Sequence, residues 1–286
     1  MPLTTTIKML AAARKNGYAV PAFNFENMEM IQGIIAAGEE MKAPLILQTT
    51  PSTIRYASVD LFAANVKAAV ESAAIPVALH LDHGNSHQLV ENALRAGYTS
   101  IMIDGSQLPL EENIAFTRKA VEICVKAGIP VEGELGRVGG KEDDLLTEGT
   151  GYTDPEEAVL FIKETGVSSL AIGVGTAHGV YASKPVLKPE LITVLKKMLT
   201  IPLVLHGASG LEDAVIQDCI VRGISKVNIA TDLRIAYTHI IREFLEQNPA
   251  CIDPKKFGEV GREAVRKLAM NRILVCGAQN RADETL

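Results

Sequence analysis

The sequence predicts an α/β chain folded as a single (β/α)8 TIM barrel with extra C-terminal helices, and three observations carry that expectation. Eight short apolar runs rich in β-branched residues alternate with helical patterns, leaving room each time for one strand, one crossover helix and two loops. Glycine and proline punctuate the joints between them. Polar residues gather at nearly every run's C-terminal end rather than at one switch point, and no GxGxxG follows the first run, which disfavours an open doubly wound sheet.

In order, the runs are Ala19 to Asn24, Leu45 to Thr49, Val77 to Asp82, Ser100 to Asp104, Val131 to Leu135, Ser169 to Gly173, Leu203 to His206 and Lys226 to Ile229. Pro44, Pro76, Pro130 and Pro202 each stand immediately before a run, where a missing N–H costs no ladder bond. Gly97, Gly128, Gly166 and Gly223 stand where the preceding helices should stop, because left-handed backbone at a helix end suits glycine. Helical patterns fill Met28 to Met41, Asp60 to Ser72, Leu110 to Ala127, Pro155 to Thr165 and Pro189 to Met198. Asp154-Pro155 reads as an N-cap followed by proline at the first helical position. After the eighth run, Asp232 to Glu246 and Pro254 to Met270 read as further helices. No low-complexity linker or longer repeat interrupts this rhythm, so residues 1–286 are expected to form one domain.

With 286 residues, 47% of them hydrophobic and 22% charged, the chain can bury a large core without staples. Its 28 basic and 34 acidic residues give a net charge of −6 with no basic cluster, which argues against nucleic acid as a partner. No apolar run approaches the ~18 residues that span a bilayer, so no membrane role is expected. Met1-Pro2-Leu3-Thr4-Thr5-Thr6 lacks a signal-peptide pattern, so a cytoplasmic location is expected. Cys124, Cys219, Cys251 and Cys276 are far apart and form no CxxC pair, which fits reduced thiols rather than a metal knuckle.

Active sites of such barrels sit at the C-terminal ends of the strands. Here those ends carry Asn24, Thr50, Asp82-His83, Asp104, Glu134, a loop reaching His178, His206-Gly207, and Asn228 with Thr231. Three of the six histidines, His83, His178 and His206, are each followed by glycine, more often than this glycine content gives by chance. Glycine lets backbone or ligand approach an imidazole closely, and three imidazoles from separate strand ends make an open zinc site with room for substrate oxygens. Taken one at a time, each could instead be a hydrogen-bonded structural histidine. His80, His87 and His239 read as strand interior, helix and helix, without a role.

Adjacent strand residues face opposite sides, so Asp82 and His83 serve one site only if the strand bends, which Gly84 would permit. Otherwise Asp82 is a cap or a core carboxylate. Asp104 and Glu134 read as carboxylates supporting the site or as caps. Gly207-Ala208-Ser209-Gly210 and Asn228-Ile229-Ala230-Thr231 offer backbone N–H groups and hydroxyls ahead of a helix, which suits a phosphate or two ordinary capped loops. Gly136-Arg137-Val138-Gly139-Gly140-Lys141-Glu142-Asp143-Asp144 reads as a mobile lid carrying a catalytic carboxylate, or as a solvated loop. A Schiff-base lysine is not evident: Lys226 starts the eighth strand at the wrong face, and Lys184 lies in a loop.

Taken together, HLDHGN, SIMIDGS, VEGELGRVGGKEDD, GVGTAHGVYAS, LVLHGASGL and KVNIATDLR resemble the class II ketose-bisphosphate aldolases, closest to the tagatose-1,6-bisphosphate branch, over essentially residues 1 to 280. The resemblance implies a (β/α)8 barrel that splits D-tagatose 1,6-bisphosphate into dihydroxyacetone phosphate and D-glyceraldehyde 3-phosphate through a zinc-stabilised ene-diolate. It implies that His83, His178 and His206 hold the zinc and that Asp104 and Glu134 bind metal in an alternative place. It makes Asp82 the proton donor to the aldehyde oxygen and Glu142 the base. Gly179, Gly207, Ala208, Ser209, Asn228, Ile229, Ala230 and Thr231 then match the dihydroxyacetone-phosphate site, Asn24 and Thr50 match substrate contacts, and a monovalent cation (Na+ or K+) lies near the phosphate loops. Such enzymes bind the far phosphate through an arginine after an Asp-Pro pair of a neighbouring subunit; here Lys255 follows Asp253-Pro254, keeping the charge and losing the bidentate fork. A homodimer or homotetramer follows, and tagatose members associate with a separate stabilising subunit. The alternatives are fructose 1,6-bisphosphate as substrate and a non-catalytic barrel that binds sugar phosphate or supports a partner.

Overall fold

Alternation along each strand decides which side chains enter the barrel, and here it sorts them by polarity. In the computed structural model of the chain, residues 3–142, 145–147, 151–179, 181 and 185–285 are described. The strands are β1 (Val20–Asn24), β2 (Leu45–Thr49), β3 (Val77–Gly84), β4 (Ser100–Ile103), β5 (Val131–Leu135), β6 (Gly139–Glu142), β7 (Leu145–Thr147), β8 (Ser169–Ile172), β9 (Ala177–His178), β10 (Leu203–Leu205) and β11 (Ile224–Ile229). Eight of them close a parallel barrel in the order β1-β11-β10-β8-β5-β4-β3-β2. All eight coincide with the predicted runs to within two residues at each end.

The helices are α1 (Thr6–Asn16), α2 (Met28–Met41), α3 (Pro51–Ala57), α4 (Val59–Val70), α5 (His87–Ala96), α6 (Leu110–Val125), α7 (Pro155–Thr165), α8 (Pro189–Met198), α9 (Asp213–Arg222), α10 (Thr231–Gln247) and α11 (Pro254–Val275). The punctuation behaves as its chemistry requires. Gly97, Gly128, Gly166 and Gly223 all have positive φ beyond their helices. The carbonyls of Pro76, Pro130 and Pro202 accept from Leu45, Ile101 and Leu170 on the neighbouring strand, so each proline joins the ladder through the one group it retains. Asp154 caps α7 by accepting from the N–H groups of Glu156 and Glu157.

The main core lies between strands and helices. Phe23, Ile101, Phe161 and Leu205 are among its fully buried members, each contributing about 1.5–3 kcal/mol by leaving water. A small separate cluster of Met102, Ala171 and Val204 comes from β4, β8 and β10. Helix α1 was not read from sequence; it buries Met9, Leu10 and Ala13, and its Thr6 hydroxyl meets Ser100 of β4 at 3.1 Å. The extra helices pack in series, α10 on α11 and α11 on α2. No described helix is long and apolar enough to cross a membrane.

Candidate active site

Strand β3 solves the problem posed by Asp82 and His83. His83 has a positive φ of 49°, and the β3–β4 register shifts between Leu81 and Gly84. The bulge turns two consecutive side chains toward one site, with the strain falling on His83 itself. Gly84 helps differently from expectation: a Cβ there would stand 2.6 Å from the Met102 carbonyl, so only glycine lets β4 close against the bend.

His83, His178 and His206 converge as the sequence suggested. Their ring centroids are separated by 5.1 Å (His83–His178), 4.8 Å (His83–His206) and 5.9 Å (His178–His206). One ligand atom from each lies within 4.8 Å of the others. Nε2 of His83 and Nδ1 of His206 are 3.0 Å apart. The opposite nitrogens face carboxylates: Nδ1 of His83 lies 2.8 Å from Asp104 Oδ2, and Nε2 of His206 lies 3.0 Å from Glu132 Oε1. Since an ionised carboxylate only accepts, those ring nitrogens donate, and the two that face each other are the lone-pair nitrogens. Such a pair needs a proton or a cation. Imidazole nitrogens on one zinc at about 2.0–2.1 Å stand about 3.4 Å apart, so this donor set fits that ion.

Electrostatics push the same way. Burial lowers the pKa of His206, favouring the neutral ring that a metal requires. For Asp104, burial opposes ionisation, but the hydrogen bonds from His83 and Ser106 favour the carboxylate, and its pKa lies well below the usual range. His83, Asp104 and Glu134 form a second group able to hold a metal.

Asp82 is fully buried and held by amides. Its Oδ2 accepts from Asn24 Nδ2 at 2.8 Å and from Gln48 Nε2 at 3.2 Å, while Oδ1 accepts from Asn228 Nδ2 at 3.1 Å. Asn24 thus meets Asp82 directly. Thr50 is the N-cap of α3, its hydroxyl accepting from the Thr53 N–H.

The two loops read as phosphate sites are tied together, since the Ser209 hydroxyl accepts from the N–H groups of Ala230 and Asp232 at 3.3 and 3.4 Å. Gly207 has a φ of 66°, and a Cβ there would press on the Ala177 carbonyl at 2.6 Å. Ala208 is buried, Gly179 has positive φ, and Thr231 opens α10 one residue beyond Asn228 and Ile229 of β11. Ala230 stands at the N-cap position of α10.

The stretch read as a glycine-rich lid contains β structure. β6 pairs antiparallel with β7 and parallel with β9, with Gly140 opposite His178. Glu142 therefore ends a strand joined to the segment that carries a candidate ligand; its side chain, like Asp143, Asp144 and Lys184, lies outside the described residues. Lys255 stands apart from these groups at the start of α11, 86% exposed in its side chain and paired with Asp253 at 2.9 Å.

Lys226 corrects an expectation. It is the third residue of β11, and its side chain is fully buried within the barrel, 2.8 Å from Glu132 Oε2 and 3.4 Å from His80 Nε2. It is saturated by an ion pair rather than turned away. Gln48, His80, Glu132 and Lys226 were all missed as site components. Period-two alternation would have found them, because each lies two residues before a residue already singled out: Thr50, Asp82, Glu134 and Asn228.

A barrel whose mouth gathers three imidazoles and a caged carboxylate is the framework of a metal-dependent lyase. The family model for class-II fructose-bisphosphate aldolase matches residues 4–281, and the chain belongs to that family, whose members are in general zinc-dependent enzymes that act on sugar bisphosphates. It is an aldolase, a carbon–carbon lyase. The crystal structure of the YdjI aldolase from Escherichia coli K12 is 34% identical with a TM-score of 0.87, covering 98% of this chain and 99% of that one. A fructose-bisphosphate aldolase from Campylobacter jejuni shares the fold at 24% identity and a TM-score of 0.83, covering 98% of this chain and 97% of that one.

Proposed function

We propose that the chain cleaves D-tagatose 1,6-bisphosphate reversibly to dihydroxyacetone phosphate and D-glyceraldehyde 3-phosphate, as a single-domain cytoplasmic enzyme. The observation that carries the reading is the convergence of His83, His178 and His206 beside Asp82, with Asn228 reaching both Asp82 and His206. Those three histidines would hold zinc, and Asp104 and Glu134 with His83 would offer it a second place. Zinc bound there supplies a Lewis acid for the substrate's carbonyl and hydroxyl oxygens.

In the condensing direction Asp82 gives its proton to the aldehyde oxygen as the carbon–carbon bond forms, and its three amide contacts hold it in line for that transfer. Glu142 removes the proton from dihydroxyacetone phosphate. Gly179, Gly207, Ala208, Ser209 and Asn228 to Thr231 grip its phosphate with Na+ or K+ nearby, while Asn24 and Thr50 contact the sugar. The exposure of Lys255 supports a role toward a neighbouring copy in a homodimer or homotetramer, where it would meet the far phosphate. The tagatose reading also brings a separate stabilising subunit.

HGASG and NIAT favour tagatose, whereas the family description favours fructose 1,6-bisphosphate, which differs at one hydroxyl stereocentre. Comparing kcat/KM for the two bisphosphates decides: a higher value for tagatose is expected, and a marked preference for fructose overturns the choice.

A further inference from the structure

We infer that Glu132, steadied by Lys226, is the positioning residue that fixes the tautomer of His206 and thereby aims Nδ1 of that ring at the ion; the inference rests on the metal reading above. Glu132 divides its two oxygens. Oε1 accepts from His206 Nε2 at 3.0 Å, and Oε2 accepts from Lys226 Nζ at 2.8 Å. The three side chains are at most 1% exposed, so bulk water offers the ring no competing partner, and the Asn228 Nδ2 that stands 3.2 Å from Nε2 donates to Asp82 Oδ1 at 3.1 Å. A proton held on Nε2 leaves the lone pair on Nδ1, the nitrogen 3.0 Å from His83 Nε2.

Lys226 keeps Oε2 engaged, so that Glu132 cannot rotate away from His206. The tether continues below: His80 Nδ1 lies 2.7 Å from Ser100 Oγ, which lies 3.1 Å from the Thr6 hydroxyl on α1. A run of hydrogen-bonded side chains thus connects the helix beneath the barrel to a candidate ligand at its mouth.

The pair Glu132→Gln and Glu132→Gln/Lys226→Met tests this. An amide has one accepting end. Lys226 only donates, so in Glu132→Gln it takes that end and turns the NH2 toward His206, forcing the proton onto Nδ1. Removing the ammonium frees the amide to flip, and its oxygen again accepts from Nε2.

Zinc affinity is read by competition with a chromophoric chelator, ligand geometry by the visible spectrum of the cobalt(II)-substituted protein, and folding by circular dichroism. Glu132→Gln is expected to bind zinc about 10–100-fold more weakly with an altered cobalt spectrum. The double variant is expected to recover most of that loss, which a merely structural role for the pair would not give. In the unaltered zinc-loaded protein, long-range 1H–15N spectra should place the His206 proton on Nε2, a measurement that stands even if Glu132→Gln does not fold. A proton on Nδ1, a folded Glu132→Gln with unchanged affinity, or a double variant no tighter than the single would each overturn the tether and leave the metal reading intact. Unaltered protein that takes up no zinc would sink both.

Discussion

The inside of this barrel holds two polar layers built on opposite terms. In the floor, Lys226, Glu132, His80, Ser100 and Thr6 meet donor to acceptor, and the buried charges cancel in one ion pair. At the mouth, His83 and His206 turn nitrogens toward each other at 3.0 Å, with His178 beside them. A layer whose members satisfy one another specifies a fold and acts on chemistry only through what it holds in place, as Glu132 holds His206. One whose like groups converge is stable only around something else. The difference separates site from scaffold by hydrogen-bond accounting, where polarity alone would merge them.

Breaking the mouth should have the largest effect. Removing zinc with a chelator forfeits several kcal/mol of charge stabilisation, so aldol cleavage should fall by about 10^3-fold or more and return when zinc is restored. Borohydride with substrate should trap no adduct, because Lys226 is enclosed and ion-paired. A stable lysine adduct by mass spectrometry would exchange the roles of the two layers. Next comes Asp82→Ala, expected to lower kcat about 10^2–10^4-fold while zinc content stays at the unaltered level. Loss of the metal together with activity would make Asp82 a structural partner of the histidines instead.

The contrast also explains what could be read from the sequence. Strand ends, helix stops and the three His-Gly pairs were legible because each is a local signal: a proline before a run, a glycine after a helix, a histidine where a strand must finish. The bend at His83 was half legible. Gly84 announced an irregularity, yet the positive φ falls on the histidine, and only the register against β4 shows that. Gln48 and Glu132 were passed over, and Lys226 was placed on the wrong face, because a polar residue inside an apolar run has no distinctive neighbour. What defines them is a partner far along the chain, such as the 94 residues separating Lys226 from Glu132. β6, which ends at Glu142, was hidden for a similar reason: its parallel ladder partner, β9, lies beyond α7 and β8.

The floor can be broken separately. Lys226→Met leaves Glu132 buried without its counter-charge and should cost about 3–5 kcal/mol of stability, measured by denaturant unfolding. Glu132→Leu with Lys226→Met removes both charges and should restore part of it; a double variant less stable than the single would show that the pair does more than balance charge. Gln48→Leu is a gentler cut, deleting one of three amide contacts to Asp82. Here kcat should drop about tenfold, near 1.4 kcal/mol, with KM little changed. An unchanged kcat would mean that Asn24 and Asn228 suffice to hold the carboxylate.

The most gradual effect is the pH dependence of stability in zinc-free protein. Burial pushes the pKa of His80 well below its ordinary value, aided by Lys226, and burial likewise lowers that of His206. The His80 ring is therefore neutral in the fold and takes up a proton on unfolding once pH drops below about 6.5, and the lowered pKa of His206 acts in the same sense. Unfolded chain binding more protons than folded chain means stability rises with pH, so it is full above that point and lost on acidification, by about 1.4 kcal/mol per pH unit for each such proton. Glu132 adds to the loss in more acid solution: burial opposes its ionisation, but Lys226 and His206 outweigh that and hold its pKa well below the usual carboxylate range. Stability from Glu132 is thus present above about pH 4.5 and disappears as pH falls through its lowered value. Unfolding free energies measured from pH 7 to 4 should decline throughout, and His80→Gln should flatten the upper part by about one proton. A curve already flat between pH 6.5 and 5 would mean that the His80 ring is charged in the fold, and the floor would no longer be the self-satisfied layer that sets it apart from the mouth.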